Sequence, residues 1–79
     1  MSVRILFFGA TADVVGAQEI QLSPTGGETS GDVFDAVLRD HPGLRNHKLL
    51  FSVNQEFASR SEPVRDGDEL AIFTAVSGG

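Results

Sequence analysis

Apolar residues recur along this chain in two rhythms, one of period two and one of three to four, and the elements follow from where each holds. The run Val3-Arg4-Ile5-Leu6-Phe7-Phe8 is β-branched, aromatic and apolar after Arg4, which predicts a central strand covered on both faces. Gly9 ends it. Thr11 to Gly16 reads as a short helical turn, with Thr11 as N-cap and Gly16 as the stop. From Ala17 to Leu22 the chain alternates, Ile20 and Leu22 inward and Glu19 and Gln21 outward, as a half-buried strand does. Two strands joined so briefly predict an antiparallel pair. The composition of Ser23-Pro24-Thr25-Gly26-Gly27-Glu28 is that of a loop.

The longer rhythm then takes over. Val33, Phe34, Val37 and Leu38 form one apolar stripe, Asp32, Asp35 and Arg39 take the wet side, and Thr29 or Ser30 can cap the helix. Asp32 sits favourably near the positive end. Pro42 stops the helix and pushes His41 out of helical geometry. After a loop from Leu44 to His47, Leu49 to Val53 reads as a strand with Leu49, Phe51 and Val53 on one face. Asn54-Gln55 is a turn, Glu56-Phe57-Ala58 a short edge strand, and Pro63 to Asp68 a tight turn in which Gly67 takes a positive φ. Glu69 to Phe73 is the final strand.

The order is β, β, α, β, (β), β, and the single main helix must bury its stripe on one sheet. A four- or five-stranded mixed sheet packed on that helix satisfies this, with the first and last strands adjacent near its centre. The expected class is α+β, in a β-grasp (ubiquitin-like) arrangement. With no repeat and no linker, residues 1–74 read as one domain, and residues 75–79 as a flexible C-terminal Gly-Gly tail.

Composition narrows the function. An apolar content of 41% with 22% charged residues argues against disorder. The absence of cysteine excludes a disulfide framework, a thiolate metal site and a cysteine nucleophile, and suits a reducing cytosol. A net charge of −5 speaks against nucleic acid and suits a partner with a basic rim. No apolar stretch is long enough to span a membrane, and the N-terminus does not read as a signal peptide, so a cytoplasmic protein is expected.

Conventional catalytic machinery is missing. His41 and His47 lie on either side of a Pro- and Gly-containing loop and offer no metal site. Gly26-Gly27 lacks the spacing and the lysine of a phosphate-binding loop. Asp66 and Asp68 flank a turn glycine, as in many solvent-facing hairpins. Ser77 has no base near it in sequence. What remains is the end of the chain, Val76-Ser77-Gly78-Gly79. It reads either as a frayed terminus or as a thin arm that offers an unhindered carboxylate to another protein. A carboxylate does no acyl chemistry at neutral pH. Adenylylation by a partner using ATP supplies a leaving group, and attack by sulfide or persulfide then yields a thiocarboxylate. The chain itself acts as substrate and handle.

Ile5-Leu6-Phe7-Phe8 followed by Ala10, Asp40-His41-Pro42-Gly43-Leu44, Phe51-Ser52-Val53-Asn54-Gln55-Glu56, Asp66-Gly67-Asp68-Glu69 and Val76-Ser77-Gly78-Gly79 together resemble the small, sulfur-carrying subunit of molybdopterin synthase, over essentially the whole chain. The resemblance implies activation by an adenylyltransferase-sulfurtransferase, with ATP used by that enzyme and no cofactor bound by the carrier. It implies a thiocarboxylate on Gly79, with clearance from Gly78, and Val76 and Ser77 in a channel of the synthase large subunit. It further implies delivery of sulfur to cyclic pyranopterin monophosphate, forming molybdopterin, within a heterotetramer. Phe8 and Phe73 become candidates for partner contact, core packing being the other reading of each. The family often carries two prolines where Thr74 and Ala75 stand, so the tail here is expected to be less preorganised. Other carriers of this fold serve thiamine synthesis or tRNA thiolation, and a protein modifier would end in an isopeptide bond. The single lysine, Lys48, makes chain building on itself less natural.

Overall fold

The computed structural model describes residues 2–24 and 28–75. Five strands, β1 (Val3–Phe7), β2 (Glu19–Leu22), β3 (Leu49–Val53), β4 (Glu56–Phe57) and β5 (Glu69–Thr74), form one sheet in the order β2-β1-β5-β3-β4. The first and last strands pair in parallel at its centre and the other pairings are antiparallel. Helix α1 (Ala10–Val15) follows β1, and α2 (Ser30–Asp40) lies across the sheet. This is the β-grasp arrangement the pattern predicts.

The core lies between α2 and one face of the sheet. Val3, Ile5 and Phe7 of β1 and Leu70 and Ile72 of β5 meet Val33, Phe34 and Val37 of α2. Phe34 stacks on Phe51 with ring centroids 4.9 Å apart. The expected inward faces of β2 and β3 hold, with Ile20, Leu22, Leu49, Phe51 and Val53 packed against the core.

Three details differ from the expectation. The first concerns β1, which is covered on one face only: Arg4 is exposed and Leu6 half-buried. Thr11 does not cap α1 but sits inside its first turn, fully buried, while Gly9 at φ 58° occupies the cap. The stretch after His41 is a 3₁₀ helix, Pro42–Asn46, whose Leu44 is completely buried in the core. Proline starts it well, because the missing N–H would have had no partner there.

The N-terminus of α2 is held by two devices. Thr29 and Asp32 exchange hydrogen bonds in a capping box: the Asp32 N–H donates to Thr29 Oγ1 at 3.2 Å and the Thr29 N–H to Asp32 Oδ2 at 3.0 Å. The next two amides are met by backbone from far along the chain, Ser30 N–H by the Glu62 carbonyl at 2.8 Å and Gly31 N–H by the Arg60 carbonyl at 2.9 Å. That approach requires glycine, since a Cβ on residue 31 would stand 2.8 Å from Arg60 Cβ. The Asp32 carboxyl is held below the usual carboxylate range, chiefly by the Thr29 N–H, then by the Thr29 hydroxyl and the Arg60 guanidinium.

Asn54 and Gln55 turn the β3–β4 hairpin with φ of 51° and 70°, the pair of positive values that a type I′ turn requires.

Candidate functional site

Because β1 and β5 run parallel, both deliver their C-terminal ends to the same end of the sheet, and Phe7↔Ile72 is their last pair. One side chain ties them there. The Thr11 hydroxyl accepts the Phe8 N–H at 3.0 Å and lies 2.9 Å from both the Phe8 and the Ile72 carbonyl oxygens, which share its single proton. On the other side of β5, the Ala75 N–H donates to the Lys48 carbonyl at 2.8 Å, one step beyond the pair Leu49↔Thr74. The polypeptide is thus anchored from both sides up to Ala75. Val76, Ser77, Gly78 and Gly79, where the sequence places the carrier chemistry, lie outside the described residues, as do Gly26 and Gly27.

Among the described residues, no element covers the large apolar side chains on the sheet face away from α2. The register puts Leu6, Ala71, Ser52 and Phe57 in one row across it, and Leu50 with Phe73 in the next. Phe57 is 75% exposed, Phe8 53% and Leu50 41%. Phe73 is half-buried, its ring 6.0 Å from that of Phe57. Neither Phe8 nor Phe73 belongs to the core. Phe57 was visible in the sequence only as an edge residue. The signal that could have found it is an unguarded phenylalanine beside Glu56 in so short a strand. At the end remote from Ala75 the same face turns polar, where Arg4 pairs with Glu69 at 3.2 Å and lies 3.6 Å from Glu19. The open face is therefore apolar near the departing chain and charged away from it.

The other polar residues weighed in the sequence have structural duties. His41 meets the Phe7 ring edge-on at 6.3 Å. Asp66 accepts the Ser2 N–H at 2.7 Å, and Asp68 accepts the Arg65 N–H at 2.8 Å and the Asn54 side chain at 3.0 Å. Among the described residues no group of three or more His, Cys, Asp or Glu is placed to hold a metal, and no helix is long and apolar enough to cross a membrane.

A five-stranded mixed sheet with parallel first and last strands at its centre, packed on one main helix, defines the ubiquitin-like β-grasp class. Within that class the chain belongs to the ThiS family, whose model matches residues 5–79. It is 30% identical to the molybdopterin synthase sulfur carrier subunit of Chlamydomonas reinhardtii, with both chains covered completely. It is 34% identical to small archaeal modifier protein 1 of Haloferax volcanii over 91% of this chain and 94% of that one. The crystal structure of SAMP1 from Haloferax volcanii matches with a TM-score of 0.87 at 32% identity, covering all of both chains.

Proposed function

We propose that this chain is the sulfur-carrier subunit of molybdopterin synthase. The observation that carries the proposal is a central strand anchored on both sides, bordered by an apolar face that the described residues leave open, with two glycines following it in sequence. The full-length similarity to a sulfur carrier subunit of that synthase supports it. A carboxylate oxygen of Gly79 attacks the α-phosphate of ATP on an adenylyltransferase-sulfurtransferase, and pyrophosphate leaves. Hydrosulfide sulfur then attacks the acyl carbon, AMP departs, and the thiocarboxylate remains. Gly78 and Gly79 carry no Cβ, so the carboxylate reaches the α-phosphate and the hydrosulfide reaches the acyl carbon without obstruction. Val76, Ser77 and Gly78 occupy the channel of the synthase large subunit, while Phe8, Phe73 and the neighbouring Phe57 bury their exposed area against it. Sulfur passes to cyclic pyranopterin monophosphate and Gly79 returns as a carboxylate. The chain binds no cofactor of its own, and ATP belongs to the activating enzyme.

A second reading, attachment of Gly79 to a lysine of another protein, is favoured by the similarity to a small archaeal modifier protein. Intact mass after incubation with ATP, the activating enzyme and a sulfur source separates the two. The carrier reading expects a rise equal to exchanging one oxygen for sulfur, absent when Gly79 is deleted, and conversion of the pterin substrate once the large subunit is added. An unchanged mass, with the activating enzyme proved on a known carrier, sinks it. Appearance of this chain on lysines of other proteins, without pterin conversion, establishes the modifier.

A further inference from the structure

We infer that the free edge of β2, together with the groove beside it, binds an extended, cationic segment of another protein as an added strand. β2 is the outermost strand on its side of the sheet. Phe7 N–H donates to the Gln18 carbonyl at 2.9 Å, and the register from that pair makes Ile20 and Leu22 the bonded partners of Ile5 and Val3. In an antiparallel pair bonded and non-bonded residues alternate, so Glu19 and Gln21 turn their backbone N–H and C=O outward. These groups are what a strand pairing from outside requires.

The groove gives such a strand a place for side chains. A cavity of about 530 Å³ lies between the end of β2 and α2, and Leu22 belongs to both the edge and the groove. Val33 is buried while Leu22 and Ala36 are half-buried, so the floor is apolar. Glu28, Asp32 and Asp35 border it with Arg39, and Arg60 bridges to Asp35 at 2.6 Å, so carboxylates outnumber cations there by three to two. Alternate side chains of a paired strand point to the α2 side, where an aliphatic residue covers Ala36 and flanking lysines or arginines balance the net negative charge of the border. The same charge disfavours a second copy, which brings its own Glu19 and a net charge of −5 to the contact. The groove lies on the α2 side of the sheet, whereas Phe57 and Phe73 lie on the opposite face, so both surfaces can be occupied together.

The probe is acetyl-Lys-Val-Ile-Val-Lys-amide, titrated into the ¹⁵N-labelled full chain and followed by amide shifts. Expected are saturable shifts confined to residues 19–22 and 32–39, with acetyl-Glu-Val-Ile-Val-Glu-amide about fivefold weaker or more, the effect of reversing two exposed charges. Gln21→Pro removes an outward N–H that the β1 pairing does not use, and it should abolish the shifts. Ala36→Arg fills the groove without touching the edge and should do the same, which keeps the test intact if the proline variant does not fold. Equal response to both peptides, shifts centred on Leu50, Phe57 and Phe73, or no response at all overturns the assignment. Shifts of residues 19–22 that depend on protein concentration alone assign the edge to a second copy and also overturn it.

Discussion

Replacing Thr11 with valine tests the knot at the end of the sheet. Valine has nearly the same shape, so the substitution removes a hydroxyl and little else. Thr11 is fully buried, and its oxygen serves the Phe8 N–H and the Ile72 carbonyl, both of which lose this partner in the variant. The Phe8 carbonyl keeps the Thr11 N–H at 3.2 Å and contributes no loss. An unpartnered buried group costs about 1–3 kcal/mol, with the part-buried Phe8 N–H at the low end. The added methyl returns about 1 kcal/mol. The net is a destabilisation of roughly 1–3 kcal/mol, or about 4–24 °C in melting temperature for a domain of this size. Thr11→Ser is the control: it keeps the hydroxyl and loses one methyl, costing about 1 kcal/mol. Urea unfolding at neutral pH measures all three proteins. A valine variant as stable as the parent, or more stable than the serine variant, refutes the reasoning.

Phe34→Ala should lower stability by roughly 3–5 kcal/mol in the same assay, because it removes a core side chain stacked on Phe51, and a loss under 1 kcal/mol contradicts the packing described. Asp32 has a lowered pKa, so its stabilising effect is present above the ordinary carboxylate range and is lost as pH falls through the lowered value. Asp32→Asn is therefore less stable than the parent at neutral pH, and the gap closes on acidification; a gap that is constant with pH refutes the cap assignment. Phe57→Glu leaves the melting temperature within about 2 °C, since Phe57 is 75% exposed, but weakens capture of the synthase large subunit in a pull-down by roughly tenfold or more. Unchanged capture removes Phe57 from the docking face.

The parts of the fold that alternation or a helical stripe encodes were legible in the sequence. These include the inward faces of β2 and β3, the α2 stripe, its cap at Thr29 (one of the two residues the sequence offered), and the central pairing of first and last strands. The misreadings share a cause. Leu6 and Phe8 looked like one side of a strand buried twice over, because an apolar face that no described element covers has the composition of a core. Thr11 looked like a cap because its buried bonds reach a carbonyl 61 positions away. The carbonyls of Arg60 and Glu62 that complete the start of α2 are backbone, which every residue has, so no residue type announces them. Leu44 lacked a neighbour in periodic register and so read as loop. Of the candidate site, the sequence showed Phe8 and Phe73 but not Phe57, whose importance depends on the short β4 lying beside β3.

The parallel pairing of β1 with β5 has a consequence in time as well as in space. Ile5 meets Ile20 early, but its neighbour on the other side is Leu70, and the start of α2 waits for Arg60 and Glu62. At 5–20 residues per second of synthesis, the first strand stands without its central partner for roughly 3–13 s. A nascent chain stopped before residue 69 lacks the middle of its sheet and exposes Ile5 and Phe7. Folding is thereby gated by the arrival of β5, the strand that leads into the glycine pair, so a chain complete enough to fold has already been synthesised to within a few residues of those glycines.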